Sequence, residues 1–160
     1  MVHTVWRVTD GAGEMIFLDD VLVQHAGRLR QNTALSIRTD LRPTYVVGDA
    51  ATLNRAVAAL VDHACRNAVS AIELVVYRRD AQAVIIIRDD GPHIAVADAG
   101  QTPPQRHSSL ELAARIIATH GGTLAVAENR QCANAVSVRL PSTRQSLRNS
   151  PVPTWFSDER

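Results

Sequence analysis

Leu53, Val57, Leu60, Val61, Ala64 and Ala68 recur at i, i+4, i+7, i+8, i+11 and i+15. That spacing lines up apolar side chains along one face of an α-helix. The stripe predicts a helix over about residues 50–69, and Gly48-Asp49 breaks the chain just before it. A helix this long with one apolar face needs a second apolar surface to cover, and the flanking sequence supplies it. Ala34-Leu-Ser-Ile-Arg-Thr39 and Thr44-Tyr-Val-Val47 precede it as two short β-like runs, separated by Arg42-Pro43. Ala71–Arg78 and Ala81–Arg88 follow as two more, rich in Val and Ile and parted at Arg79-Asp80.

The same reading extends outward. Leu18, Val21, Leu22, His25 and Leu29 predict a helix over 19–31, with Asp19 or Asp20 as N-cap. His25 lies on its apolar stripe and reads as a satisfied core or boundary histidine. Val2–Val8 is a candidate strand. Residues 95–107, with Gly100, Pro103 and Pro104, read as a loop. A third helix is expected over 108–119, capped by Ser108 or Ser109 and stopped at His120-Gly121-Gly122. Thr123–Ala127 and Ala135–Leu140 are the last strands. From Pro141 the chain carries three prolines and four serines in 20 residues and is expected to be a flexible tail.

Helix, two strands, helix, two strands, loop, helix and two strands imply an α+β protein. The architecture is a two-layer α/β sandwich with a mixed, mostly antiparallel sheet covered on one face by three helices. The 160 residues suit one domain, expected over 16–141 with an N-terminal segment at 1–15 and the tail at 142–160. No apolar run approaches the ~20 residues of a membrane span, and a cytoplasmic location is expected. The net charge of +1 gives no electrostatic case for nucleic acid. All 17 basic residues are arginine, so a phosphate contact would come from Arg, His, Asn or backbone. The two cysteines, Cys65 and Cys132, read as reduced thiols.

Four segments in register resemble the ATP-binding domain of sensor histidine kinases. Val47 to Asn67 is similar to the approach and N-box. Asp89-Asp-Gly-Pro-His-Ile94 resembles the first glycine box, Asp-x-Gly-x-Gly. Ser108 to Gly122 resembles the second glycine box and the helix after it, and Val136-Ser-Val-Arg-Leu-Pro141 the closing strand. The match runs over roughly residues 15–141 and implies the Bergerat ATP-binding fold, with ATP and Mg2+ as ligands.

The resemblance assigns nucleotide-binding positions. Asp89 matches the aspartate that accepts a hydrogen bond from the adenine amino group; by itself it also reads as a turn-initiating residue. Gly91 matches the glycine where backbone passes close to the base. His93 stands at the second glycine, where a side chain crowds the nucleotide. His63 stands at the magnesium-coordinating asparagine, and reads either as a metal ligand or as a half-buried helix residue. Arg66 and Asn67 match phosphate-contacting positions or are solvated helix-edge residues; arginine can pair with phosphate bidentately. His107 and Ser109 fall on the two key glycines of the second box, where helix N-terminal amides hold phosphate in the family. Ala59 stands where some relatives carry a catalytic glutamate, so hydrolysis by this domain is not expected, and no residue here is named as catalytic.

No histidine-bearing phosphoacceptor segment precedes the domain in this sequence. The chain is therefore expected to supply a phosphoryl group to a dimerisation and phosphoacceptor histidine domain of the same or a partner kinase, which then serves a response regulator. A degenerate module that docks a partner without turning ATP over is the main alternative. An anti-sigma-factor switch kinase and a sandwich with fortuitous motifs are the others.

Overall fold

The computed structural model describes residues 13–92, 104–129 and 133–142. The strand expected at Val2–Val8 and the tail beyond Ser142 lie outside the described residues. In chain order the elements are β1 (Glu14–Phe17), α1 (Leu18–Asn32), β2 (Ser36–Leu41), β3 (Tyr45–Gly48), α2 (Ala50–Asn67) and β4 (Ala71–Arg79). These are followed by β5 (Gln82–Asp89), α3 (Pro104–Thr119), β6 (Thr123–Asn129) and β7 (Ala133–Pro141). The main sheet has five strands in the order β2-β4-β5-β7-β6, and β1 and β3 form a separate antiparallel pair. No helix among the described residues is long and apolar enough to cross a membrane.

Strand alternation decides which face the helices cover. On β4, Ile72, Leu74 and Val76 are buried; on β5, Ala83, Ile85 and Ile87; on β7, Val136, Val138 and Leu140. These nine meet Leu22 and Ala26 of α1, Leu53, Val57, Leu60 and Ala64 of α2, and Ala113 and Ile117 of α3 in one core. The opposite face carries an exposed ion pair between Arg88 and Glu73, 2.6 Å apart and directly opposed across β5 and β4. The stripe that defined α2 is thus the central layer of the core, and one face of the sheet carries all three helices.

Two expectations are corrected, and the pairing of the first strands is set by the fold. The runs at 34–39 and 44–47 do not pair with each other. β2 lies parallel to β4, with Ser36 opposite Ala71, while β3 pairs with β1. The reason lies at the break: the Leu18 amide donates to the Thr44 carbonyl at 2.8 Å, and the Thr44 amide donates to Asp19 Oδ1 at 3.1 Å. Those bonds hold the start of β3 beside β1, and α2 then supplies the long crossover a parallel partner needs. Asp19 is accordingly spent on Thr44; the residue before α1 is Phe17, with no side-chain cap. Finally, α3 begins at Pro104, so residues 104–107 are helix and neither Ser108 nor Ser109 is its cap. Proline is well suited to a first helical position, where its missing N–H has no partner to lose.

The end of α3 follows the sequence closely. Gly121 adopts φ +73°, a left-handed conformation that costs glycine little. Its amide donates to Ala118 O at 3.0 Å and the Gly122 amide to Ile117 O at 2.9 Å, which together make a Schellman cap. His120 then links two helices: its Nδ1 donates to Ile116 O at 2.8 Å, and its Nε2 accepts from the Asp49 amide at 3.1 Å.

His25 is buried as expected, and its Nε2 donates to Asn54 Oδ1 of α2 at 3.1 Å. Burial lowers its pKa below the ordinary 6.5, outweighing the hydrogen bond that acts the other way. The unfolded chain therefore binds the proton first as pH falls, so stability drops from about pH 7 downward through the His25 pKa. Urea titrations across that range should show this slope, and His25→Gln should flatten it.

Candidate functional site

The alternation that buries Ala83, Ile85 and Ile87 toward the helices continues to Asp89, the last residue of β5, which is 4% exposed. A carboxylate is thereby placed on the helix side of the central strand, at the sheet end where β4 begins. Its Oδ1 accepts from the Gly91 amide at 2.9 Å and from Asn134 Nδ2 at 3.0 Å. Asn134 lies opposite Asp89 in the β5–β7 register and also donates to the Pro92 carbonyl at 3.3 Å. The side chain of Asp90 points the other way in function as well as in sequence parity: its oxygens accept from the amides of Val69, Ser70 and Ala71.

Gly91 runs against the C-terminal end of α2. A Cβ built there would overlap the Asn67 carbonyl oxygen and stand 2.8 Å from Asp89 Oδ1. Backbone therefore passes with no side-chain space between the β5 turn and the last residue of α2. On that last turn, Asn67 and His63 are both buried, and Asn67 Nδ2 lies 3.0 Å from His63 Nε2. An amide nitrogen only donates, so His63 Nε2 is the acceptor and is engaged within the protein. Arg66, on the outer side, donates from Nη2 to Ser109 Oγ at 2.8 Å and so bridges α2 to α3.

Of the residues singled out in the sequence, Asp89, Gly91, Asn67 and His63 come together at one end of the sheet, with Arg66 and Ser109 paired at the rim. Ser109 sits beyond the first turn of α3, so its amide is not among the free N-terminal donors expected of it. His107 is carried in the first turn of α3, and its side chain lies outside what is described; His93 lies outside the described residues. No group of three His, Cys, Asp or Glu that could hold a metal ion occurs among the described residues.

A family model described as histidine kinase-, DNA gyrase B-, and HSP90-like ATPase matches residues 48–144, from the end of β3 through β7. The chain belongs to that ATPase family. Three solved structures resemble it. One is a mycobacterial sensor histidine kinase, MprB, with 22% identity, a TM-score of 0.70, and coverage of 81% of this chain and 97% of that one. The ATP binding domain of PrrB from Mycobacterium tuberculosis gives 21% identity and a TM-score of 0.68, over 84% and 99% of the two chains. The Acinetobacter baumannii histidine kinase AdeS gives 17% identity and a TM-score of 0.64, over 82% and 68%. No curated protein matches the sequence. At these identities the likeness is one of fold, and it makes the five-stranded sheet with three helices the Bergerat fold of the ATPase family.

Asn134 is the member of the cluster that sequence reasoning missed. The closing strand begins at Ala133, two residues before the expected Ala135. Counting the antiparallel register back from Leu140, opposite Ala83, places Asn134 beside Asp89.

Proposed function

We propose that this chain is the ATP-binding domain of a two-component sensor histidine kinase, and that it delivers the γ-phosphoryl group of ATP to a histidine on a separate domain or chain. One observation carries the reading: a buried carboxylate, Asp89, ends the central strand on the helix side, with glycine backbone beside it and α2 closing the wall. A carboxylate there accepts a hydrogen bond from the amino group of adenine, and the Gly91 turn packs against the Asn67 backbone with no space for a side chain. Asn134, bonded to the same oxygen, holds Asp89 Oδ1 in place, so that the other oxygen is the acceptor left for the base. Arg66, exposed at the rim and steadied by Ser109, is the cation available for phosphate oxygens, and Asn67 lies on the same turn. The acceptor histidine would attack the γ-phosphorus as its bond to the β–γ bridging oxygen breaks and ADP leaves, and the domain's contribution is to hold and orient the nucleotide and offset charge.

The residues present do not fit a magnesium ion at His63. Magnesium takes oxygen ligands, whereas His63 offers nitrogen, is buried, and has its Nε2 engaged by Asn67. The same observation favours the second reading, a kinase-like domain that docks a partner and does not turn ATP over. Proposed partners are a dimerisation and phosphoacceptor histidine domain and, beyond it, a response regulator.

Calorimetric titration with ATP and a non-hydrolysable analogue, with magnesium and with chelator, tests this. Both nucleotides should bind, and removing magnesium should move the dissociation constant by less than about threefold, under about 1 kcal/mol. Absence of binding at millimolar nucleotide would remove the kinase reading and leave the docking module.

A further inference from the structure

The connection from α2 to β4, residues 68–70, is anchored by apolar packing only at Ala68, which lies partly buried against the core. Val69 is 71% exposed and Ser70 is exposed as well. Yet this short segment must stay fixed, because the residue before it, Asn67, forms the wall against which Gly91 packs. The Ala68 amide bonds back to Ala64 O and the Ser36 amide donates to Ser70 O, both at 2.8 Å; the amides of residues 69–71 are gathered by one side chain. Asp90 Oδ1 accepts from the Val69 amide at 2.9 Å, the Ser70 amide at 2.9 Å and the Ala71 amide at 3.0 Å. Its Oδ2 accepts from the Ser70 hydroxyl and, at 3.1 Å, from the Ser70 amide. The Asp90 amide in turn donates to Ala71 O at 3.3 Å. These bonds, led by the Ser70 hydroxyl, hold the carboxyl far below the usual carboxylate range.

We infer that Asp90 is a positioning residue for nucleotide binding: its carboxylate ties the turn after β5 to the end of α2, and so sets where Asp89 and Gly91 stand. Adjacent carboxylates divide the work by strand parity. Asp89 faces the helix layer, and Asp90 reaches across the end of β4 to gather the amides of a connection that packing leaves loose. Cutting this tie frees the Gly91 turn to drift from the α2 terminus, and a misplacement of about 1 Å can cost up to about a hundredfold. The inference rests on the reading of Asp89 as the adenine contact.

The test compares Asp90→Ala and Asp90→Asn with wild type in the full chain, using ATP as probe and amide hydrogen exchange as second readout. Asp90→Asn keeps a carbonyl oxygen for the three amides, and the Ser70 hydroxyl can rotate to accept from the new amide group. Asp90→Ala should weaken ATP binding about tenfold or more and speed exchange at Ser70, Ala71 and Gly91. Asp90→Asn should restore most of both. A merely structural role would lower the melting temperature of Asp90→Ala while leaving the ATP affinity of the folded protein, and the Gly91 amide, unchanged; that result overturns the inference. If wild type itself binds no ATP, the nucleotide reading fails, and exchange at Gly91 still decides whether Asp90 sets that turn. Unchanged Gly91 exchange in Asp90→Ala would then overturn it.

Discussion

Gly91→Ala should both destabilise the protein and abolish nucleotide binding. The added Cβ would overlap the Asn67 carbonyl oxygen, approach Asn67 C to 2.7 Å and reach Asp89 Oδ1 at 2.8 Å. None of these is the free end of a flexible side chain. The Asn67 backbone belongs to the last turn of α2, which Ala64 and Leu60 fix in the core, and the Ala68 amide bonds back to Ala64 O at 2.8 Å. Asp89 is held by Asn134. Relief therefore requires the β5 turn to move away from α2 as a unit, pulling against the Asp90 bonds to residues 69–71. Overpacking a well-filled site costs about 1–3 kcal/mol, and more where backbone must move; a loss near ~3 kcal/mol lowers the melting temperature by about 10 °C in a domain this size. Gly27→Ala is the matched control. Nothing lies within 4 Å of a Cβ at Gly27, in the middle of α1, so alanine there should stabilise by about 0.5–1 kcal/mol. Circular dichroism melts of both variants, with ATP titration, check the pair; a Gly91→Ala protein that melts like wild type would show that the turn does not press on α2.

These contacts also show what the sequence carried and what it did not. The periodicity of α2 and the Val/Ile runs of β4 and β5 placed the core because apolar spacing is a direct physical demand of burial. The helix stop at Gly121-Gly122 was legible for a similar reason: the left-handed turn needs glycine, and the residue is there. The parallel β2–β4 pairing was not legible, because it depends on bonds between Thr44 and the Leu18–Asp19 region, 25 residues away for Asp19. Chain-local turn signals contain no such information. The start of α3 was misplaced for a different reason. Pro103 and Pro104 read as loop, yet a proline at the first helical position is a helix start, and the two cases share one composition.

The site divided along the same line. Asp89, Gly91, His63, Arg66 and Asn67 were picked out by the resemblance, which rests on the Asp-x-Gly turn and the spacing along α2, both local patterns. Asn134 and Asp90 were not, since their importance arises from register and from a connection that has no pattern of its own. A second carboxylate beside Asp89 was visible in the sequence, and strand parity alone says that only one of the two can face the helices. Which one, and what the other does, depended on knowing where the amides of residues 69–71 lie.

Asp89→Asn separates recognition of the base from stability of the fold. Asparagine has the shape of aspartate and retains one carbonyl oxygen. That oxygen can go on accepting from the Gly91 amide and from Asn134 Nδ2, the two bonds that fix the carboxylate now. With those bonds kept, the amide NH2 replaces the second carboxylate oxygen, and a donor meets the donating amino group of adenine. The variant thus loses a hydrogen bond to a charged acceptor and gains an unfavourable donor pair, a change of about 1.5–3 kcal/mol or more, or roughly ten- to a hundredfold in affinity. The melting temperature should stay within a few degrees of wild type, about 1 kcal/mol or less, since the Gly91 amide and Asn134 Nδ2 both keep their acceptor. Titration with ATP beside a thermal melt reads both quantities. An Asp89→Asn protein that binds ATP as tightly as wild type would remove the adenine contact from this carboxylate. A variant that loses stability along with affinity would show that Asn134 and Gly91 need the charge, and not only the oxygen, that Asp89 presents.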